Sequence, residues 1–130
     1  MNFADKCKKN SVSFIQLLSP TTSMKRLKKI INDSHDMIYY ISMLSTTGGK
    51  LKVSPKQILF NYKKIKKINP RKKCVIGFGI TEKNISKLKS SDGLVVGSQI
   101  SKEISRSLNN RQNPATNVSR LVKKLKNKII

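Results

Sequence analysis

Acidic side chains are scarce in this chain, with six Asp and Glu against 28 Lys and Arg and a net charge of +22. So few carboxylates leave little material for a general acid–base pair. Cys7, Cys74 and a single histidine, His35, are the only soft or imidazole ligands, and they lie in different segments without metal-ligand spacing, which argues against a structural metal site. No apolar run approaches the ~20 residues a membrane helix needs, and the amino terminus lacks a secretory apolar region. The chain therefore reads as soluble and intracellular, in the cytoplasm. Excess positive charge often marks a nucleic-acid or polyanion partner. Here the lysines run through loops and helices alike, and no basic run alternates with stacking aromatics. Charge alone is non-specific, so nucleic-acid recognition is the weaker reading.

What is present is a repeating alternation of strand and helix over 130 residues with 37% hydrophobic content, enough for one domain spanning 1–130. The organising stretch is 73–98. Cys74-Val75-Ile76 and Leu94-Val95-Val96 are short apolar runs rich in β-branched residues, and between them Ile85 and Leu88 sit three apart in a polar, helix-like segment. This pattern predicts a βαβ unit with a parallel sheet. Each strand runs into glycine, first Gly77-Phe78-Gly79-Ile80 and then Gly97-Ser98. A backbone without Cβ can bring successive N–H groups up to an anion at the positive end of a following helix, so the pair reads as a phosphate cradle. The alternative for each glycine is a tight βα turn.

The rest of the chain follows the same rhythm. Residues 1–10 read as the end of a helix with Phe3 and Cys7 on one face, so the start falls mid-element and Met1 reads as internal to a longer or broken reading frame. Residues 12–18 read as a strand, followed by a turn and a helix capped near Ser23 with Leu27, Ile30 and Ile31 inward and Lys25, Arg26, Lys28 and Lys29 outward. A second strand is expected at 37–42, then a mobile loop at 43–53. Ser54-Pro55 opens a helix carrying Ile58, Leu59, Tyr62, Ile65 and Lys66 that Asn69-Pro70 stops. Gly97-Ser98-Gln99-Ile100 opens a short helix running to 109, and a last helix is expected at 117–129 with Val118, Leu121, Val122 and Leu125 as its stripe. His35 sits in a turn with no evident partner, and Asp92-Gly93 reads as a turn into a strand.

Four segments together carry a resemblance. Phe14-Ile15-Gln16-Leu17-Leu18-Ser19-Pro20-Thr21-Thr22, Ile38-Tyr39-Tyr40-Ile41-Ser42, Gly77-Phe78-Gly79-Ile80 and Asp92-Gly93-Leu94-Val95-Val96-Gly97-Ser98 resemble, in order and spacing, the fifth to eighth strands of the tryptophan synthase alpha chain family. The resemblance implies an α/β fold, a truncated half of a TIM (β/α)8 barrel with about four βα units and extra carboxyl-terminal helices. Active sites of such barrels sit at the carboxyl ends of the strands, with phosphate held after the seventh and eighth.

By the same resemblance, Gly79, Gly97, Ser98 and Gly48 are phosphate ligands, Phe78 and Ile80 line the indole end, and Tyr40 lies beneath the substrate. Thr47 supports the catalytic aspartate from a lid whose Gly-Val-Thr-Gly-like motif is here Ser45-Thr46-Thr47-Gly48, with Ser45 and Thr46 departing from it. Gln99 stands where the family usually has a small residue. The implied reaction is cleavage of indole-glycerol phosphate to indole and glyceraldehyde 3-phosphate, with no cofactor on this subunit and a pyridoxal-phosphate-bearing beta subunit as partner. The family's catalytic glutamate and aspartate belong to strand two and its loop. None of Asp5, Asp33, Asp36, Glu82, Asp92 or Glu103 falls at a strand tip, so this chain alone is expected to be inactive. The rival expectations are an inactive remnant, a half that needs a separate amino-terminal half or self-associates, and a basic anion-binding protein.

Overall fold

The computed structural model describes residues 2–42 and 53–130. Four parallel strands, β1 (Gln16–Leu18), β2 (Met37–Ile41), β3 (Lys73–Gly77) and β4 (Gly93–Leu94), lie side by side in chain order. Sequential parallel strands require a crossover each time. The crossovers are α2 (Met24–Asp33), α3 (Pro55–Ile68) and a 3-10 turn (Ile85–Leu88), flanked by α1 (Phe3–Lys9) before β1 and by α4 (Ser98–Asn109) and α5 (Pro114–Asn127) after β4.

The register sorts every strand residue onto one of two faces. Leu18, Tyr40, Ile76 and Leu94 stand opposite one another in one row, while Leu17, Tyr39, Val75 and Gly93 form the neighbouring row. Strand side chains alternate, so adjacent rows point to opposite faces. The first row joins Ile38 and Cys74 beneath the helices, where Leu27, Ile30 and Ile31 of α2 and Ile58, Tyr62 and Ile65 of α3 close the core. Each fully buried aliphatic side chain contributes about 1.5–3 kcal/mol. The second row faces away from the helices and stays only half covered, with Leu17 58% exposed.

Local chemistry explains where the helices begin. Ser54 accepts from the N–H of Gln57 with Pro55 in the first turn, and Asn113 accepts from Thr116 with Pro114 in the first turn. At the amino end of the sheet, the Asp92 carboxylate accepts from Lys66 Nζ and from the Cys74 N–H, both at 2.9 Å, tying α3, β3 and the entry to β4. Burial works to raise the Asp92 pKa, but the Lys66 ammonium and the Cys74 N–H outweigh it and hold the carboxyl below its usual value. Burial, reinforced by the Asp92 charge, pushes the Cys74 thiol up to about 12, which makes it an inert core residue.

Several boundaries differ from expectation. Helix α1 has its own capping box, Asn2 with Asp5, and the residue it buries is Ala4; Phe3 is exposed and meets Phe14 edge-on. Strand β1 starts at Gln16 because Ser11 takes a positive φ of 57° and Phe14 is bonded to His35. Strand β4 is only Gly93–Leu94, since the backbone turns toward α4 after one further bond, Val95 N–H to the Ile76 carbonyl. Ile85 and Leu88 are both buried on a 3-10 turn, whose three-residue repeat stacks positions three apart. Helix α5 starts at Pro114, three residues before the expected 117.

An open sheet with an exposed apolar row associates with something. At moderate salt, the 130-residue chain is expected to self-associate in sedimentation velocity, and Leu17→Lys should shift it toward smaller species. A compact, cooperatively melting monomer for the unmodified chain would contradict the open-face description.

Candidate phosphate-binding site

The carboxyl ends of β3 and β4 lie next to each other, and each ends in a specialised turn. At Gly77 an added Cβ would fall 1.9 Å from the Tyr39 hydroxyl, so the close approach of that ring requires glycine. Phe78 and Gly79 then both take left-handed backbone, with φ 71° and 81°. For a bulky residue such as Phe78 this conformation costs on the order of 1–3 kcal/mol and needs support from its surroundings. The support is visible. Ser42 donates its hydroxyl to the Phe78 carbonyl and its N–H to the Gly77 carbonyl, at 2.5 and 2.9 Å. Asn84 donates Nδ2 to the Gly79 carbonyl while its Oδ1 accepts from the Thr81 N–H.

The second turn is Gly97, which precedes α4 and lends it no side-chain cap. Nothing lies within 4 Å of where its Cβ would be, so the approach to the first amides of α4 is open. A twelve-residue helix presents partial positive charge at that end, and Ser98 adds an exposed hydroxyl. The segments that follow the two turns are bonded to each other, since Gln99 Oε1 accepts from the Glu82 N–H at 2.9 Å. Beside this bridge runs a groove of about 520 Å³ lined by Thr81, Glu82, Ser98 and Gln99, with Lys83, Lys102 and Lys128 around it.

The expected site residues divide accordingly. Gly79 lies in the turn after β3, and Gly97 and Ser98 lie at the start of α4 after the adjacent parallel strand β4, with Phe78 exposed beside Gly79. Ile80 instead turns inward and is 4% exposed in the core with Ile85 and Leu88. Tyr40 is also a correction: it belongs to the helix-side row, is 1% exposed, and its hydroxyl accepts from Asn61 Nδ2 of α3 at 2.9 Å. Tyr39 is the tyrosine on the other face, against Gly77. Strand alternation could have found it, because Ile38 commits its even-numbered neighbour Tyr40 to the core. His35 has a partner after all, its Nδ1 accepting from the Phe14 N–H at 3.2 Å. Thr47 and Gly48, with Ser45 and Thr46, lie outside the described residues. The clamps Ser42 and Gln99 carry no sequence signal for these bonds, since their partners lie 36 and 17 residues away, whereas Asn84 bonds locally to Gly79 and Thr81.

All six carboxylates can be located. Asp5 caps α1, Asp36 accepts from the Ser13 hydroxyl, and both border a polar groove with Asp33 at the amino end of the sheet. Asp92 is bound by Lys66, Glu103 by Arg106, and Glu82 by Lys124 and Lys128. The hydrogen bonds from Lys124 and Lys128 hold the Glu82 carboxyl below its usual pKa, so it is an ionised anchor. Among the described residues, no cluster of His, Cys, Asp and Glu could hold a metal, and no helix is long and apolar enough to cross a membrane.

The family model of the tryptophan synthase alpha chain matches residues 1–130. The chain belongs to that family. Among its relatives, the tryptophan synthase alpha chain of Pelagibacter ubique is 69% identical over 127 residues, covering 98% of this chain and 48% of that protein. That of Methanocaldococcus jannaschii is 36% identical over 106 residues, covering 78% and 36%. Among solved structures, tryptophan synthase subunit alpha of Legionella pneumophila superposes with a TM-score of 0.80 at 23% identity, over 97% of this chain and 45% of that one. The tryptophan synthase complex of Pyrococcus furiosus gives 0.73 at 25%, over 96% and 48%. The chain thus spans about half the length of the family members it matches, and its four-stranded α/β sheet corresponds to half of their TIM barrel.

The two tyrosines can be separated experimentally. Tyr40→Phe removes the acceptor of the Asn61 amide and should cost about 1 kcal/mol of stability, read as a lower urea midpoint, with glycerol phosphate affinity unchanged. A fall in affinity at unchanged stability would return Tyr40 to the site.

Proposed function

We propose that this chain supplies the phosphate-binding side of a lyase that cleaves indole-glycerol phosphate to indole and glyceraldehyde 3-phosphate. The observation that carries the reading is the meeting of two glycine turns, Gly77 to Gly79 and Gly97-Ser98, at the carboxyl ends of adjacent parallel strands beside an uncapped helix. Backbone N–H groups at such a helix start complement a phosphate without any cationic side chain in contact. Gly79, Gly97 and Ser98 are the proposed ligands, Gly48 and Thr47 would join them from the loop after β2, and Phe78 and Tyr39 would face the aromatic end of the substrate.

Cleavage requires a proton delivered to the indole ring and one taken from a hydroxyl. Every carboxylate of this chain is either at the amino end of the sheet, where Asp5, Asp33 and Asp36 border one groove, or engaged by a cation, as Asp92, Glu103 and Glu82 are. The acid and base are therefore proposed to come from polypeptide equivalent to the part of its relatives that this chain does not span, closing a barrel over the exposed Leu17 row. The 130 residues form one domain in this reading, need no cofactor of their own, act in the cytoplasm, and deliver indole to a pyridoxal-phosphate-bearing beta subunit. A chain without activity is the second reading, favoured by the same carboxylate inventory.

Two outcomes follow. Gly97→Asp places a carboxylate in the open space at the start of α4 and should abolish glycerol phosphate binding, while Lys87→Ala on the outer 3-10 turn should leave it nearly unchanged; equal weakening by both would indicate bulk charge. The chain alone is expected to release no measurable indole, because each missing proton-transfer group forfeits typically ~10²–10⁴-fold. Addition of a separately made amino-terminal half should restore release, and indole production by the chain alone would overturn the assignment.

A further inference from the structure

We infer that Gln99 is a positioning residue that sets the separation of the two arms of the phosphate cradle. The inference rests on the phosphate reading above and concerns what holds that site in shape. The two arms belong to different elements. One is the turn after β3, and the other is the amino end of α4.

The sheet does little to fix the second arm. Strand β4 is two residues long, and α4 is anchored thinly, since its one fully buried residue is Ser107. That serine faces α5 and not the sheet, accepting from Asn117 Nδ2 at 3.0 Å. The hairpin of α4 and α5 reaches the core mainly through Leu125, far along the chain from Gly97. A helix held so weakly at its start would swing relative to the β3 turn unless something local restrained it.

Among the described residues, the restraint at the start of α4 is the bond from Glu82 N–H to Gln99 Oε1, at 2.9 Å and across 17 residues. On one side of it, Asn84 and Ser42 pin the turn from Phe78 to Thr81. On the other side, Gln99 is the second residue of α4 and directly follows Ser98. Glu82 is held at its other end as well, its carboxylate taking Lys124 at 2.8 Å and Lys128 at 2.9 Å from the far end of α5. Glu82 is thus a fixed post, and Gln99 fastens the start of α4 to it. A shift of an ångström between Gly79 and Ser98 would leave their N–H groups unable to reach one phosphate together, which is why a side chain outside the cradle can govern its affinity.

The test uses the full 130-residue chain, with titration of glycerol phosphate and of inorganic phosphate at moderate salt and with amide hydrogen exchange. Gln99→Met keeps the length and removes the acceptor; Gln99→Asn keeps the amide but is one methylene too short. Both are expected to weaken binding of either ligand about fivefold, the worth of one net hydrogen bond. Both should also speed exchange of the Glu82 amide while β2 and β3 amides keep their protection. Unchanged affinity in both variants overturns the inference and leaves the phosphate site standing. Weaker binding with faster exchange throughout the sheet also overturns it, because Gln99 would then be a stability residue. Absence of phosphate binding by the unmodified chain would defeat the site reading itself and this inference with it.

Discussion

The pairing register of β2 with β3 is the constraint on which the rest of this structure depends. It sets Ile38 opposite Cys74 and Tyr40 opposite Ile76, which puts a continuous apolar row under α2 and α3. The same register sets Tyr39 opposite Val75 and Ile41 opposite Gly77 on the other face. Slipping either strand by one residue would exchange the two rows and bury the wrong set. It also aligns the carboxyl ends of the strands, so that Ser42, leaving β2, can reach the carbonyls of Gly77 and Phe78.

That alignment explains why backbone strain is concentrated where it is. Phe78 is held at a positive φ by hydrogen bonds from Ser42, which follows the neighbouring strand, and its successor Gly79 is held from Asn84. A turn fixed from two sides keeps its N–H groups in place before a ligand arrives, which lowers the ordering cost of binding. The opposite edge of the sheet has a different economy of charge. There Asp92 sits between Lys66 and the Cys74 N–H, and Lys72 gives its ammonium to the carbonyls of Ser34 and His35. In a chain of such positive charge, the few carboxylates act largely as structural anchors, which leaves the edge carrying the glycine turns without a free acid.

Much of this was legible along the chain. The order of strands and helices, the cap at Ser54, the inward stripe of Leu27, Ile30 and Ile31, and the pair of glycine turns all rest on local chemistry and periodicity, which a linear reading captures. Strand ends and individual side-chain roles were less legible. Strand β4 stops early because its neighbour and the turn into α4 leave it one more bond, and His35 acquires its partner from Phe14, 21 residues away. Tyr40 and Tyr39 have the same side chain and adjacent positions, so only the face each occupies distinguishes them, and a face exists only once the sheet has packed.

The sequence by itself determined the alternation of apolar strands with amphipathic helices, and with it a parallel α/β sheet, because hydrophobic period and glycine placement act within a few residues. The tertiary structure alone decided that Tyr40 faces α3, that Ile80 turns into the core, and that Gln99 reaches Glu82. Those outcomes depend on which groups the folded sheet and helices bring within about 3 Å of one another, the range in which a hydrogen bond forms and which no spacing along the chain encodes.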